Sequence, residues 1–311
     1  MAIVLNQTWE AYQQTRRMNG STLVEGFKSM KHLKAAIDKG YSEETDAMRL
    51  GTGIHALLLE PEQFESRFVV MPQFELDTEN MRAKKRKDES DEDRRTDSKA
   101  TSYYKAKVRE FARENSGRTI LRREQYDSAL HCIEAIRSRD YMRKKINACE
   151  KEVTITGEIA GVPFKGRIDL LRRKRPLIID LKTTADCSKH AFGRVFARLH
   201  YAEKLSIYRE LVRQEIGKVP DVAIITQEPS GDFDNAYVPV PEIVLDNAYS
   251  KVLMLVAAYI RARDSDCWPG VDGGRDRYEL VIPQWSMEDA DEELDWSEVP
   301  QESEEPAEVY F

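Results

Sequence analysis

Two aspartates and a lysine lie close together in the middle of the sequence. Ten residues separate Asp169 from Asp180, and Lys182 follows two positions later. Carboxylate oxygens suit Mg²⁺ or Mn²⁺, and a hydrated divalent ion can activate a water and neutralise charge on a phosphate. A neighbouring lysine can orient or deprotonate that water, or stabilise the pentavalent state electrostatically. The spacing therefore indicates metal-dependent phosphate-ester hydrolysis; an ordinary surface salt bridge between Lys182 and one aspartate is the alternative.

These residues lie where apolar and polar side chains alternate with the period of a strand. The pattern predicts three strands that form an antiparallel meander, at 152–157, 162–171 and 176–182, with turns at 158–161 and 172–175. The apolar run that precedes Asp180 places this carboxylate at the end of a buried strand. A carboxylate in that position is costly without a cation.

The register of the second hairpin decides whether the charged groups meet. We expect Leu171 to lie opposite Pro176 across the turn. The pairs that follow are Asp169 with Ile178 and Arg167 with Asp180. Directly opposed residues share a face, and side chains alternate along each strand. Asp169, Asp180 and Lys182 are therefore predicted to project from the same side of the sheet.

The remaining elements are mostly helices that flank these strands. We predict helical segments within 1–46 and helices at 48–60, 102–115, 123–146, 191–216 and 241–263, with further strands at 221–227 and 236–240. This order indicates an α/β fold, with a central mixed sheet flanked by helices and extra helices at the N-terminus. We divide the chain into an N-terminal helical region (1–46), a core (47–270) with a charged, mobile insertion at 81–99, and an acidic tail (271–311).

The charge of the chain is unevenly distributed. Its net charge is −7, but residues 286–311 contain eleven Asp or Glu and no Lys or Arg, so the remainder carries 48 basic against 44 acidic residues. The body is therefore basic enough for a polyanionic partner. A like-charged tail of this kind is typical of a disordered, solubilising segment; a docking strip for a partner or a mimic of nucleic acid is the alternative.

Several classes of protein are excluded by composition. The longest apolar run, 252–260, is nine residues, and the N-terminus lacks the charged and apolar regions of a signal peptide, so we expect no membrane association and a cytoplasmic location. Four cysteines are widely spaced, which indicates neither a zinc site nor an iron–sulfur cluster nor a disulfide framework. They are Cys132, Cys149, Cys187 and Cys267.

The pattern Gly166-Arg-Ile-Asp169, ten residues, Asp180-Leu-Lys182 resembles the PD-(D/E)xK nuclease superfamily. The segment from Leu50 to Pro61, which contains His55, is similar to a helix of the RecB-like branch and above all of RecE-type exonucleases (exonuclease VIII). The resemblance extends from about residue 48 to 260. It implies a restriction-endonuclease-like core.

The resemblance also implies roles for individual residues. His55, Asp169 and Asp180 would be metal ligands, together with the backbone carbonyl of Leu181. Lys182 would be the catalytic lysine, beside Asp169 and Asp180. Glu152 matches an acidic catalytic position of the family. The implied cofactor is Mg²⁺, with Mn²⁺ as a substitute.

One position departs from the family pattern. Relatives commonly carry Gln-x-x-x-Tyr on the helix after the lysine strand, whereas this chain has Lys204 and Tyr208. Residues four apart share a helical face, so both can reach the same phosphate. A lysine here should increase phosphate attraction and its salt dependence. A solvent-facing turn of helix is the alternative.

Basic residues flank the predicted centre and could follow duplex phosphates without reading bases. They are Arg167, Arg172, Arg173, Lys174 and Arg175, with Lys189, Arg194 and Arg198 further along the chain. Together with the acidic centre they favour nucleic acid over a small phosphoester as substrate. Each could instead be an ordinary solvated side chain.

The function predicted from these features is Mg²⁺-dependent hydrolysis of DNA phosphodiester bonds. The RecE resemblance implies 5′-to-3′ digestion of linear double-stranded DNA that leaves 3′ single-stranded tails, a RecT-like single-strand annealing partner, a ring-forming homo-oligomer and a phage or prophage origin. The alternatives are a Cas4-like or RecB-like nuclease acting on single strands or flaps, and a non-catalytic DNA-binding adaptor of the same fold.

Overall fold

The computed structural model describes residues 2–5, 7–40, 45–74, 102–275, 277 and 280–281. The predicted insertion at 81–99 and most of the predicted tail lie outside the described residues. The chain divides into two units, Met1–Val271 and Asp272–Phe311. The first contains the helices and strands described below. In the second, the Gly274 amide donates to Asp272 Oδ1 at 3.1 Å and forms a turn.

A mixed six-stranded sheet forms the centre of the first unit. The strands are β1 (Ala2–Val4), β2 (Phe68–Val70), β3 (Thr119–Leu121), β4 (Glu150–Ile159), β5 (Val162–Arg172), β6 (Leu177–Thr183), β7 (Asp221–Gln227) and β8 (Asn235–Pro239). Their order in the large sheet is β1-β4-β5-β6-β7-β8, and β2 and β3 form a separate parallel pair. The predicted β4–β5–β6 meander is present, and β6 and β7 are parallel. The predicted fold class is confirmed.

Helices cover both faces of this sheet. They are α1 (Trp9–Gln14), α2 (Gly20–Leu23), α3 (Met30–Lys39), α4 (Asp46–Leu59), α5 (Phe64–Arg67), α6 (Ser102–Glu114), α7 (Arg123–Ser138), α8 (Asp140–Asn147), α9 (Lys189–Arg198), α10 (Tyr201–Ile216) and α11 (Glu242–Ser265). Apolar residues of α2, α3, α9, α10 and α11 form one core with the sheet. Those of α4, α7 and α8 form a second core on the opposite face. The sheet is thus buried on both sides.

Two long helices predicted from the sequence are each divided in the structure. The segment 123–146 is interrupted at Arg139, which has an extended ψ of 103°. The segment 191–216 is interrupted at His200, which adopts the left-handed conformation with φ 54°. Neither break contains proline or glycine, so apolar spacing alone gave no sign of it. The strands β1, β2 and β3 were also not predicted, since each has only three residues.

The predicted register of the second hairpin is wrong by two residues. Leu171 pairs with Ile178, and Arg172 with Leu177, where the sequence analysis placed Leu171 opposite Pro176. The turn has four residues, as predicted, but it runs over 173–176, one position later than expected. A shift of two preserves the face of every side chain, whereas a shift of one would have reversed it. Asp180 and Lys182 therefore keep the predicted face, opposite to that of Leu181.

Helix α11 is long and apolar enough, by length and composition alone, to cross a membrane. Most of its buried residues belong to the core that α10 and the sheet also form; they are Leu245, Val252, Leu255, Val256 and Ala262. Its exposed positions include the charged residues Asp246, Lys251 and Arg261. The helix therefore has the character of a core helix of this fold.

The closest approach between α10 and β5 depends on a glycine. A Cβ on Gly166 would lie 2.6 Å from a ring carbon of Tyr208, whereas a Cβ on Gly193, in α9, would meet nothing within 4 Å. We expect Gly166→Ala to lower the free energy of unfolding by about 1–3 kcal/mol through overpacking. Gly193→Ala should raise it by about 0.5–1 kcal/mol, because alanine favours an exposed helix. Urea unfolding measures both; equal effects would contradict this packing.

Candidate active site

Helix α4 carries His55 to the end of β6. The helix begins at the N-cap Thr45, whose side chain accepts a hydrogen bond from the Met48 amide. Glycine at position 51 keeps α4 close to the sheet, because a Cβ there would lie 3.2 Å from Thr183 Oγ1. As a result, His55 Nε2 lies 3.0 Å from the Leu181 carbonyl oxygen. The imidazole is thus fixed against the strand that carries the lysine.

The backbone of β5 is distorted at Asp169. Ile168 packs in the core that contains α10, whereas Leu170, two residues later, packs in the core that contains α4. Residues two apart in a regular strand share a face, so the alternation is broken between them. Glu152 of β4, at the same level of the sheet, has a left-handed φ of 50°. Such strain in a non-glycine residue is common at functional sites.

This distortion brings three ligand groups together. One potential ligand atom from each of His55, Glu152 and Asp169 lies within 4.8 Å of the other two. Asp169 Oδ2 is 3.6 Å from His55 Nδ1 and accepts a hydrogen bond of 2.7 Å from the Leu181 amide. The sequence-predicted residues His55, Glu152 and Asp169 therefore form one group.

Asp180 and Lys182 form the adjoining part of the site. Lys182 Nζ lies 2.6 Å from Asp180 Oδ2, and it donates to the Leu181 carbonyl at 3.2 Å. The same Nζ lies 5.5 Å from the ring centroid of Tyr201, in a cation–π arrangement. Asp180 lies outside the group of ligand atoms within 4.8 Å, although its charge acts on Asp169. The lysine is thus held between a carboxylate, a carbonyl and an aromatic ring.

Burial shifts the pKa values of the acidic groups upward. Burial, and then the charge of Asp180, raise the pKa of Asp169 to about 7. Burial and the charge of Asp169 raise the pKa of Glu152. Burial and the charge of Lys182 lower the pKa of His55, so its ring is neutral at pH 7. Burial opposes the charge on Lys182, but Asp180 and Asp169 outweigh it and raise the pKa of Lys182.

The arrangement of acceptors fits a divalent cation. The hydrogen bond to Leu181 requires the proton of His55 on Nε2, which leaves the Nδ1 lone pair facing Asp169 Oδ2. Asp180 Oδ2 is buried, and apart from the Lys182 ammonium 2.6 Å away it has no hydrogen-bond partner among the described residues. A set of oxygen ligands with one imidazole nitrogen suits Mg²⁺ or Mn²⁺. A cation between these groups would relieve the repulsion that raises their pKa values.

The Leu181 carbonyl, predicted as a further metal ligand, lies within the site but is engaged. It accepts hydrogen bonds from His55 Nε2 and Lys182 Nζ, at 3.0 and 3.2 Å. A carbonyl oxygen has two lone pairs, so these contacts use its acceptor capacity. Coordination by this oxygen would require at least one of the two donors to move.

Arg167 is not available to DNA, contrary to the prediction. Only 8% of its surface is exposed. Its guanidinium donates to Glu152 Oε2 at 2.5 Å, to both oxygens of Glu60 at 3.1 Å, and to the Gln7 carbonyl at 2.9 Å. Glu60 was not predicted as a site residue. It directly precedes Pro61 at the end of a predicted helix, so the helix boundary alone explained a polar residue there. Arg167 therefore stabilises the site from inside.

The predicted basic residues Arg172, Arg173, Lys174 and Arg175 lie at the far end of the hairpin from Lys182, whereas Lys189, Arg194 and Arg198 lie in α9. Arg172 ends β5 opposite Leu177, about 10 Å along the strand from Asp180 at 3.3 Å per residue, and the turn 173–176 lies further away. Arg173 is paired with Glu150 at 2.6 Å, and Arg172 Nε donates to the Arg175 carbonyl. These residues can contact DNA only at a distance from the acidic cluster.

Lys204 and Tyr208 both lie beside the site, as their spacing on one helical face predicts. Lys204 Nζ is 5.5 Å from the ring of Tyr201, which Lys182 also approaches. Burial and the charge of Lys182 lower the pKa of Lys204. The Tyr208 ring packs against Gly166. Tyr201 was not predicted as a site residue. It is the first residue of α10, directly after the break at His200, which the sequence did not predict.

Comparison with known proteins assigns the chain to a family. The model of a family described as "PDDEXK-like domain of unknown function (DUF3799)" matches residues 20–278. The chain belongs to this PDDEXK-like family. The resemblance to the PD-(D/E)xK superfamily is therefore confirmed, and with it a nuclease-type fold. No curated protein matches the sequence.

One solved structure shares the fold of this PDDEXK-like domain. A crystal structure of an exonuclease candidate from Eubacterium rectale is similar to it with a TM-score of 0.57 and 15% identity, over 93% of this chain and 100% of that chain. A phage-related exonuclease from Haemophilus somnus 129PT has a TM-score of 0.30 and 14% identity, over 53% of this chain and 85% of that chain. The first likeness shows a shared fold; the second is too distant to bear on it.

The raised pKa of Asp169 predicts how stability depends on pH without metal. The folded protein keeps a proton on Asp169 up to about pH 7, whereas an unfolded chain releases it near 3.8. The free energy of unfolding should therefore fall as pH rises through this window. Asp169→Asn removes the effect, so in EDTA the variant should gain stability relative to the wild type between pH 5 and pH 8. Denaturant unfolding in EDTA at both pH values measures the free energy of unfolding of each protein. If the difference between the variant and the wild type is the same at pH 5 and pH 8, the prediction is wrong.

Proposed function

We propose that this chain is a Mg²⁺-dependent DNA nuclease. One observation carries the proposal: ligand atoms of His55, Glu152 and Asp169 lie within 4.8 Å of one another, beside an Asp180–Lys182 pair 2.6 Å apart. A buried acidic group of this kind needs compensating charge. The PDDEXK-like family and its fold support nuclease activity in general.

In the proposed reaction, the residues of the site would have different roles. His55, Asp169 and Asp180 would hold the ion, with Glu152 beside them, and the bound ion would supply an activated water and charge to offset that of the phosphate. In the metal-free protein the neighbouring carboxylates raise the pKa of Lys182. Beside the bound ion its side chain would orient or deprotonate the water, or stabilise charge on the phosphate. Asp180 holds that side chain in place.

The finer function follows from the RecE resemblance and from similarity to proteins described as exonucleases. We infer an exodeoxyribonuclease that digests linear double-stranded DNA from 5′ to 3′ and leaves 3′ tails for a RecT-like annealing protein. A ring-forming homo-oligomer would keep such an enzyme on its DNA. Release of label from 5′-labelled, 3′-labelled and circular duplexes tests this. Release only from the 5′ end of linear DNA supports the proposal, whereas cleavage of single strands or flaps alone supports a Cas4-like or RecB-like activity.

Removal of the lysine should separate cleavage from binding. We expect Lys182→Ala to reduce Mg²⁺-dependent cleavage of linear duplex at least about 100-fold, because the main electrostatic contribution to the transition state is lost. Binding of duplex in Ca²⁺ should change little. Lys218→Ala, which removes an exposed lysine beyond α10, serves as the control and should cleave normally. Binding without any cleavage by the wild-type protein would identify a DNA-binding adaptor instead.

The lysine that replaces the family's glutamine should contribute to the salt dependence of binding. If Lys204 contacts a phosphate, Lys204→Gln should reduce the slope of log K against log salt by about 0.9. Lys218→Gln should leave the slope unchanged. Duplex binding without cleavage, measured in EDTA across a salt series, gives both values. Equal slopes for Lys204→Gln and the wild type would show that Lys204 does not meet the DNA.

A further inference from the structure

A chain of three buried charged groups leads from the site to the end of helix α4. Glu60, Arg167 and Glu152 follow one another, with Arg167 bridging the two carboxylates. The side chains of Glu60 and Arg167 are each 7% exposed, and that of Glu152 is 12% exposed. Placing charges inside a protein is expensive even when they are paired. Three in a row at the edge of the acidic cluster call for a role beyond packing.

The orientation of Arg167 is fixed from several directions. Its Nε binds Glu152, one terminal nitrogen binds Glu60, and the other binds the Gln7 carbonyl. Its guanidinium carbon lies 5.8 Å from the ring centroid of Trp9. Gln7 and Trp9 precede residue 20, where the match to the family model begins. The N-terminal segment of this particular chain therefore helps to hold the arginine.

Glu60 is itself anchored in turn. Its Oε2 accepts from Arg67 at 2.9 Å and its Oε1 from Gln63 at 3.1 Å, in addition to both contacts with Arg167. The carboxylate cannot rotate without breaking several of these bonds. Arg167 donates a hydrogen bond to Oε2 of Glu152, and among the described residues no hydrogen bond joins the arginine to the other oxygen. The chain thus fixes the Glu152 carboxylate beside His55 and Asp169.

From this geometry we infer that Glu60 is a positioning residue for the metal site. Acting through Arg167, it fixes the Glu152 carboxylate beside His55 and Asp169 in the orientation that a divalent cation requires. Groups that orient metal ligands in this way typically change metal affinity 10- to 100-fold when they are altered. The inference rests on the proposed function, since it assumes that the cluster binds the cation.

Mn²⁺ binding to the intact protein without DNA tests the role of Glu60. Isothermal titration calorimetry should show Mn²⁺ binding about 10-fold weaker for Glu60→Gln, which keeps the shape of the side chain but removes its charge. Arg167→Lys should also weaken binding, because an ammonium cannot bridge two carboxylates as a guanidinium fork does. His55→Ala should abolish the binding and so identify the site being measured.

A second glutamate provides the matched control. Glu210 accepts from Arg213 and Gln214, much as Glu60 accepts from Arg67 and Gln63, but it lies in α10 outside the metal cluster. Glu210→Gln should leave Mn²⁺ affinity unchanged even if it lowers the melting temperature. If Glu60→Gln also lowers only the melting temperature, Glu60 is a structural ion-pair partner and the inference is overturned. If Glu60→Gln does not fold, Glu60→Asp provides the same test, with weaker Mn²⁺ binding expected because its reach is shorter.

The outcomes also separate this inference from the proposed function. If the wild-type protein binds no Mn²⁺, or His55→Ala binds it equally well, then the proposed metal site fails and the inference fails with it. If the wild type binds Mn²⁺ through His55 and Glu60→Gln has the same affinity, only the role of Glu60 is refuted.

Discussion

The burial of carboxylates at the end of the central hairpin is the constraint on which the structure depends. Asp169 and Asp180 are each less than 10% exposed, and Glu152 lies beside them. Burial, and then repulsion by the charge of Asp180, raise the pKa of Asp169 to about 7. The chain supplies partial compensation through Lys182 and Arg167. A cation would complete it, so the same repulsion that destabilises the metal-free protein favours metal binding.

The architecture of the sheet explains how this charge is assembled in one place. Helix α4 covers one face and brings in His55, while α10 covers the other and brings in Tyr201 and Lys204. The parallel pairing of β6 with β7 requires a crossover, and α9 and α10 provide it. Because β5 is distorted at Asp169, groups from both faces can meet at the end of the sheet. A regular strand would have separated them.

Much of this site could be predicted from the sequence, because successive side chains of a strand alternate between the two faces of the sheet. The alternation of apolar residues gave the face of Asp180 and Lys182, which an error of two residues in register left unchanged, whereas the distortion of β5 at Asp169 was not predicted. The helix breaks at Arg139 and His200 could not be predicted, because neither contains the proline or glycine that usually signals a break. The left-handed conformation of Glu152 was equally hidden, since no glycine or asparagine stands at that position.

Arg167 shows where reasoning from residue types alone fails. An arginine two residues before a catalytic-type aspartate is equally compatible with contacting a phosphate and with neutralising a buried acid; only its 8% exposure and its two glutamate partners decide between them. The internal pairing of Arg167 also decides which positive charges are available near the cluster. With Arg167 occupied internally, Lys182 and Lys204 are among the described residues that supply positive charge at the cluster, while Arg172 lies about 10 Å from Asp180 along the strand. In the proposed nuclease, attraction of a phosphate to the cluster therefore depends on these lysines and on the cation, and the turn 173–176 acts on DNA further from the reacting bond.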